Sequence, residues 1–160
     1  MSSENSRDLA IRVLRNIEQS PELLDKFAEL IKSSAKELSI PDYVFIKKLT
    51  LLGSVVKYLK ENTGLSYKKI GDLLKRDQRN IWQAYNLSKR KFPSNFSEKE
   101  SSIRIPVSAI ASEKLSVFEA VTAYLKGKGL SFHEIASVVN RNEKTVWTVY
   151  QRVKRKNKDG

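Results

Sequence analysis

A chain of 160 residues is room for one ordinary domain or two very small ones, and its 30 Lys+Arg against 18 Asp+Glu leave a net charge of +12 that points to a polyanionic partner. With no cysteine and a single histidine, His133, it can form no disulfide framework, thiolate metal site, cysteine nucleophile or multi-histidine centre. No apolar run approaches the roughly 20 residues that span a bilayer, and residues 1–8 hold no basic region leading into an apolar one, so a cytoplasmic protein without a membrane partner is expected.

Residues 1–39 carry six basic and seven acidic side chains, so the whole positive excess lies beyond them. Leu9, Ala10, Val13, Leu14 and Ile17 mark one face of a first helix. Ser20-Pro21-Glu22 opens a second, in which Leu23, Leu24, Phe27, Leu30, Ile31, Ala35 and Leu38 form a broad stripe. A hairpin this short cannot bury its own apolar face. It is expected either to pack on the segment that follows or to pair with another chain, residues 7–38 then making a homodimer contact.

Residues 40–92 and 105–160 are copies of one another. Ile40-Pro41 recurs as Ile105-Pro106, Tyr58-Leu59-Lys60 as Tyr124-Leu125-Lys126, and Gly64-Leu65-Ser66-Tyr67 as Gly129-Leu130-Ser131-Phe132. Trp82, Tyr85 and Lys89-Arg90-Lys91 recur as Trp147, Tyr150 and Lys154-Arg155-Lys156. Ile-Pro predicts a short lead-in helix in each copy, with proline in its first turn. Ser116-Val117-Phe118-Glu119 is a capping box that starts a helix to about Lys126, stopped by Gly127 and Gly129. A second box, Ser131 to Glu134, opens a helix with Ile135, Val138 and Val139 inward. Asn140-Arg141-Asn142 is then a turn whose last residue caps a helix burying Val146, Val149, Tyr150 and Val153. The first copy repeats this pattern from Thr50 to Tyr85. Between the copies, residues 93–104 read as a polar linker that extends to roughly 40 Å. That length would let two units enter major-groove faces one turn, about 34 Å, apart.

A helix of about nine residues, a three-residue turn and a longer basic helix describe a helix-turn-helix. Gly71 and Ala136 are small where the two helices should cross closely. Leu130-Ser131-x-x-Glu134-Ile135-Ala136-x-x-Val139, followed by Thr145-Val146, resembles region 4 of bacterial sigma factors and is similar to the LuxR-type response-regulator domain. The resemblance implies that the second helix of each pair, 78–91 and 143–156, enters the major groove. One departure stands in the turn. That family usually has glycine and then an aliphatic residue, where this chain has Lys75-Arg76 and Asn140-Arg141, so the arginines become candidates for clamping phosphates.

On a helical wheel, Lys144, Thr148, Gln151 and Arg155 lie opposite the apolar stripe, and Arg79, Gln83, Asn86 and Arg90 do so in the first copy. An ordinary solvated face mixes signs, but these sets hold no acid, which favours nucleic-acid contact. Residues early in each helix are expected at base edges: Gln78, Arg79, Asn80 and Gln83, then Glu143, Lys144, Thr145 and Thr148. Arg76, Asn86, Lys89, Arg90, Lys91, Arg141, Gln151, Lys154, Arg155 and Lys156 are expected at the backbone. Trp82 and Trp147 lie on the flank, either packed as lids on the core, the favoured reading since exposed tryptophan is unusual, or set against a thymine methyl or sugar. His133 falls on an outer face, as neither catalyst nor ligand.

The expected architecture is all-α: an N-terminal helical hairpin followed by two tandem helix-turn-helix units. The expected function is sequence-specific binding of double-stranded DNA in transcriptional regulation, nucleoid-associated if the host is prokaryotic. No enzymatic constellation, cofactor, metal or small-molecule site is expected. The alternatives are an architectural or segregation protein coating DNA, an RNA-binding protein and a protein adaptor.

Overall fold

The computed structural model describes residues 3–34 and 37–160, mostly as helix, and divides them at residues 37 and 38 into two units. The first is a pair of packed helices, α1 (Ser3–Glu18) and α2 (Pro21–Ser34). Ser20 caps α2, its hydroxyl accepting from the Leu23 amide at 3.4 Å. The pair does not cover its own apolar stripe: Leu9 is 63% exposed, Leu14 53% and Phe27 42%. Ala35 of the predicted stripe lies outside the described residues. Leu38 belongs instead to the second unit, where it is packed against the core and its carbonyl accepts from Val107.

The second unit holds both sequence copies. The first runs β1 (Ser39–Pro41), a 3₁₀ turn (Asp42–Val44), α3 (Leu51–Glu61), α4 (Tyr67–Leu74) and α5 (Gln78–Lys91). The second runs β2 (Arg104–Pro106), α6 (Val107–Ile110), α7 (Val117–Gly127), α8 (Phe132–Val139) and α9 (Glu143–Lys158). Each long helix starts where its cap stands. Thr50 and Ser66 accept from the amides of Gly53 and Lys69, and Ser116 and Ser131 form complete capping boxes with Glu119 and Glu134. Asp77 and Asn142 cap α5 and α9. Such caps contribute about 1 kcal/mol each by satisfying amides the helix cannot.

The expected lead-in helices each begin one residue after the proline rather than on it, at Asp42 and Val107. Ile40-Pro41 and Ile105-Pro106 are extended, as the residue before proline prefers, and they pair antiparallel as β1 and β2 in the register Ser39↔Pro106, Ile40↔Ile105, Pro41↔Arg104. Ile40 thus faces its own repeat-equivalent, so an approximate two-fold axis passes through that pair. The short helical turns then cross over. The 3₁₀ turn of the first copy packs on α8 of the second, α6 packs on α4, and α3 meets α7 on the axis. Ile40, Val44, Ile105 and Ile110 are wholly buried in one continuous core. Each such side chain stabilises by about 2 kcal/mol.

The segment 93–104 is therefore no free tether. Phe96 is buried and stacks on Phe92 at 5.5 Å, Ser101 donates to Asp42 at 2.8 Å, and the Ile103 carbonyl accepts from the Asp42 amide. Lys57 fastens it further. Fully buried, this ammonium donates to Glu61 and, at 2.8 Å, to the Ser94 carbonyl, with the Phe92 and Phe96 rings over it at 5.5 and 5.3 Å.

Candidate nucleic-acid interface

The turns before α5 and α9 place both helices alike. Lys75 and Asn140 adopt left-handed backbone, φ 55° and 54°, where glycine would be easiest. The next amides then close on the preceding helix, Arg76 N–H to Gly71 O at 2.8 Å and Arg141 N–H to Ala136 O at 3.1 Å. A Cβ on Gly71 would lie 2.7 Å from the Arg76 carbonyl, so in the first copy glycine is required for this approach. Ile81, Tyr85 and Ser88 then bury one side of α5, and Val146, Val149 and Val153 one side of α9.

The opposite sides face solvent. Gln78, Arg79, Asn80, Gln83 and Arg90 are exposed on α5, with Asn86 half-buried. On α9, Glu143, Lys144, Thr145 and Arg155 are exposed, with Thr148 and Gln151 half-buried. Asn86 and Thr148 donate to carbonyls of their own helices, Trp82 O at 2.9 Å and Lys144 O at 2.9 Å. The heads carry unlike neighbours: Arg79 lies 3.5 Å from Asp77, and Glu143 lies 3.5 Å from His133 Nδ1. Further along, Lys89 and Lys154 sit over the Tyr85 and Tyr150 rings at 5.7 and 5.5 Å, matching one another through the repeat. Lys91 is exposed beside Lys89.

Three residues expected at phosphates are occupied within the protein. Arg76 donates to the Leu115 carbonyl at 2.8 Å, and Arg141 donates to the Leu49 carbonyl and to Ile46 O at 3.4 Å. Leu49 and Leu115 each precede the cap of a first helix, so the two arginines clasp equivalent points across the two-fold axis. Burial pulls the Arg141 guanidinium below its ordinary value, and its carbonyl partners hold the charge. Lys156 bonds Glu119 at 2.7 Å and the Lys114 carbonyl at 3.2 Å. Burial pushes the Glu119 carboxyl up, but Lys156 and the Ser116 amide outweigh it and leave the pKa below 4.5.

The tryptophans also depart from expectation. Trp82 and Trp147 are 53% and 51% exposed rather than closed over the core. Trp82 frames a hollow of about 440 Å³ with Tyr67, Asp77, Gln78 and Arg79 at the start of α5. One cation escaped the sequence reading. Lys47, in the loop before α3, lines a depression with Asn140, Asn142 and Glu143 at the start of α9. No linear signal marks it, because the neighbour belongs to the other copy.

Among the described residues no group of three or more His, Asp or Glu side chains is placed to hold a metal ion, and no helix is long and apolar enough to cross a membrane. No protein family, curated protein or solved structure matches this chain.

Proposed function

We propose that this chain is a sequence-specific double-stranded DNA-binding protein, acting without catalysis as a transcriptional regulator. Its two capped helix pairs serve as helix-turn-helix units, with α5 and α9 as the groove-entering helices. One observation carries the reading: at equivalent positions of both copies, Arg79, Gln83, Asn86 and Arg90 on α5 and Lys144, Thr148, Gln151 and Arg155 on α9 present cations and hydrogen-bonding groups, beside a half-exposed tryptophan and with Glu143 as the one acid within either helix. Arg79, Gln83, Lys144 and Thr148 have the donors and acceptors that read base edges, and the tryptophans supply an apolar flank for a thymine methyl. Lys89, Arg90, Lys91, Lys154 and Arg155 are left for phosphates, and the Lys47 ammonium joins them. The likeness to sigma region 4 around Leu130 to Val146 supports the same use of α9.

The α1–α2 hairpin is assigned to self-association. Its near-neutral charge and uncovered Leu9, Leu14, Leu23 and Phe27 suit a second copy of itself better than a nucleic acid.

Competition binding tests the function. Labelled duplex DNA of random sequence should be displaced by duplex DNA in preference to duplex RNA or single strands. Log affinity should fall with log salt at about −5 to −6, near −0.9 for each of six phosphate contacts. Preferential retention of RNA would favour the RNA-binding alternative, and no nucleic-acid binding at low salt would leave a protein adaptor.

A further inference from the structure

We infer that a single chain reads two unlike half-sites in inverted orientation on one duplex, at a spacing that the protein itself fixes. The inference rests on the DNA-binding reading above but goes beyond it, because tandem copies in a sequence would ordinarily suggest half-sites in the same orientation, separated by whatever a linker permits.

Three observations lead away from that arrangement. First, β1 and β2 pair antiparallel with Ile40 opposite Ile105, so equivalent residues meet across an approximate two-fold axis. Head-to-tail copies would place non-equivalent residues together. Second, the contacts around this axis are reciprocal: Arg76 reaches Leu115 O while Arg141 reaches Leu49 O, and each copy's short lead-in turn packs on the other's α4 or α8. Third, both turn arginines line one cleft of about 290 Å³ with Thr50, Leu51, Ser116 and Val117. Arg76 and Arg141 each stand two residues before a contact helix, so α5 and α9 depart from either side of that cleft.

Duplex DNA has two-fold axes perpendicular to its length, and a protein with a matching axis meets its two strands equivalently only when the half-sites are inverted. In a symmetric dimer the two heads are identical and the operator is a palindrome. Here the scaffold is two-fold but the heads differ: Gln78-Arg79-Asn80 and Gln83 on α5 correspond to Glu143-Lys144-Thr145 and Thr148 on α9. The natural target is then inverted in frame and unlike in sequence, a geometry that conceals the symmetry from inspection of the site. Because the copies share a core and residues 93–104 are fastened along it, the spacing between half-sites has little freedom.

Giving both helices the same head makes the hidden symmetry visible. The full-length variant Glu143→Gln, Lys144→Arg, Thr145→Asn, Thr148→Gln changes only exposed or half-buried positions of α9. Duplexes selected by it from a random pool should carry an inverted repeat of one motif at a single spacing. In parallel, wild-type protein should lose on the order of 10²-fold in affinity for its own selected site when five base pairs, about half a turn, are inserted between the halves. A direct repeat from the variant, or wild-type affinity indifferent to the insertion, would overturn the inverted arrangement while leaving DNA binding intact. One motif per bound chain, with a second duplex captured, would mean the two helices face different duplexes. No enriched motif for wild type would overturn the DNA-binding reading itself.

Discussion

Removing the Arg141 guanidinium should loosen the two copies from one another without removing a phosphate contact. The side chain donates to Ile46 and Leu49 of the first copy and to the Val139 and Asn140 carbonyls of its own turn. A hydrogen bond from a charged donor contributes about 1.5–3 kcal/mol, but partial exposure lets water replace some of these, so Arg141→Ala should cost about 2–3 kcal/mol overall. For a unit the size of residues 38–160 that lowers Tm by about 6–12 °C. Calorimetry on wild type, Arg141→Ala and Arg141→Lys measures it. Lysine restores the charge but not the forked donors, so it should recover little of the loss. The salt dependence of duplex binding should keep its slope in all three proteins. An unchanged Tm with a slope shallower by about 0.9 in Arg141→Ala would refute the clasp and return this residue to the phosphates.

Further consequences concern other contacts. Because the Glu119 pKa is held below its ordinary 4.5, its contribution to stability is fully present above that value and fades as pH falls through the lower, folded one. Glu119→Gln should therefore lower Tm at neutral pH and flatten its decline below pH 4.5, whereas parallel curves would contradict the Lys156 pairing. Glu61→Ala should strand the buried Lys57 ammonium and cost about 3–5 kcal/mol by denaturant titration, while the double variant Lys57→Met, Glu61→Leu should cost far less. A near-zero cost for Glu61→Ala would place Lys57 in contact with water. Phe27→Asp should convert a dimer to a monomer in sedimentation with helicity kept, and a monomeric wild type would eliminate pairing through the hairpin. Arg79→Ala should cost about 1–3 kcal/mol on a selected site and relax preference in one half only, whereas Arg90→Ala should weaken all sequences alike.

The sequence carried the local structure well, because its signals are local. The caps predicted at Ser116, Ser131 and Asn142 start their helices, and Thr50, Ser66 and Asp77 do the same at the equivalent places of the first copy, since a side-chain oxygen three or fewer residues away decides where a helix begins. The inward faces of α5 and α9 follow from periodicity for the same reason. What it concealed is the relation between the copies. Ile-Pro looked like the start of a helix, but its partner strand lies 65 residues away, and no spacing within one copy reveals that pairing. Arg76 and Arg141 looked like surface cations because their carbonyl partners belong to the opposite copy. Phe96 and Ile103 stand in an otherwise polar stretch, a signal that the segment was anchored rather than free. The exposure of Trp82 and Trp147 runs against composition alone, which favours burial of so large a ring.

The solvent-facing sides of α5 and α9 are proposed to read DNA sequence. That role is tested most directly by the affinity ratio between a duplex selected by the full-length protein and a scrambled duplex of equal length and composition, measured at one salt concentration. A preference of about 10³-fold or more is expected, falling at least tenfold in the Arg79→Ala, Lys144→Ala double variant while scrambled-duplex affinity drops much less. Equal affinity for selected and scrambled duplexes, or a preference unmoved by the double variant, would contradict it.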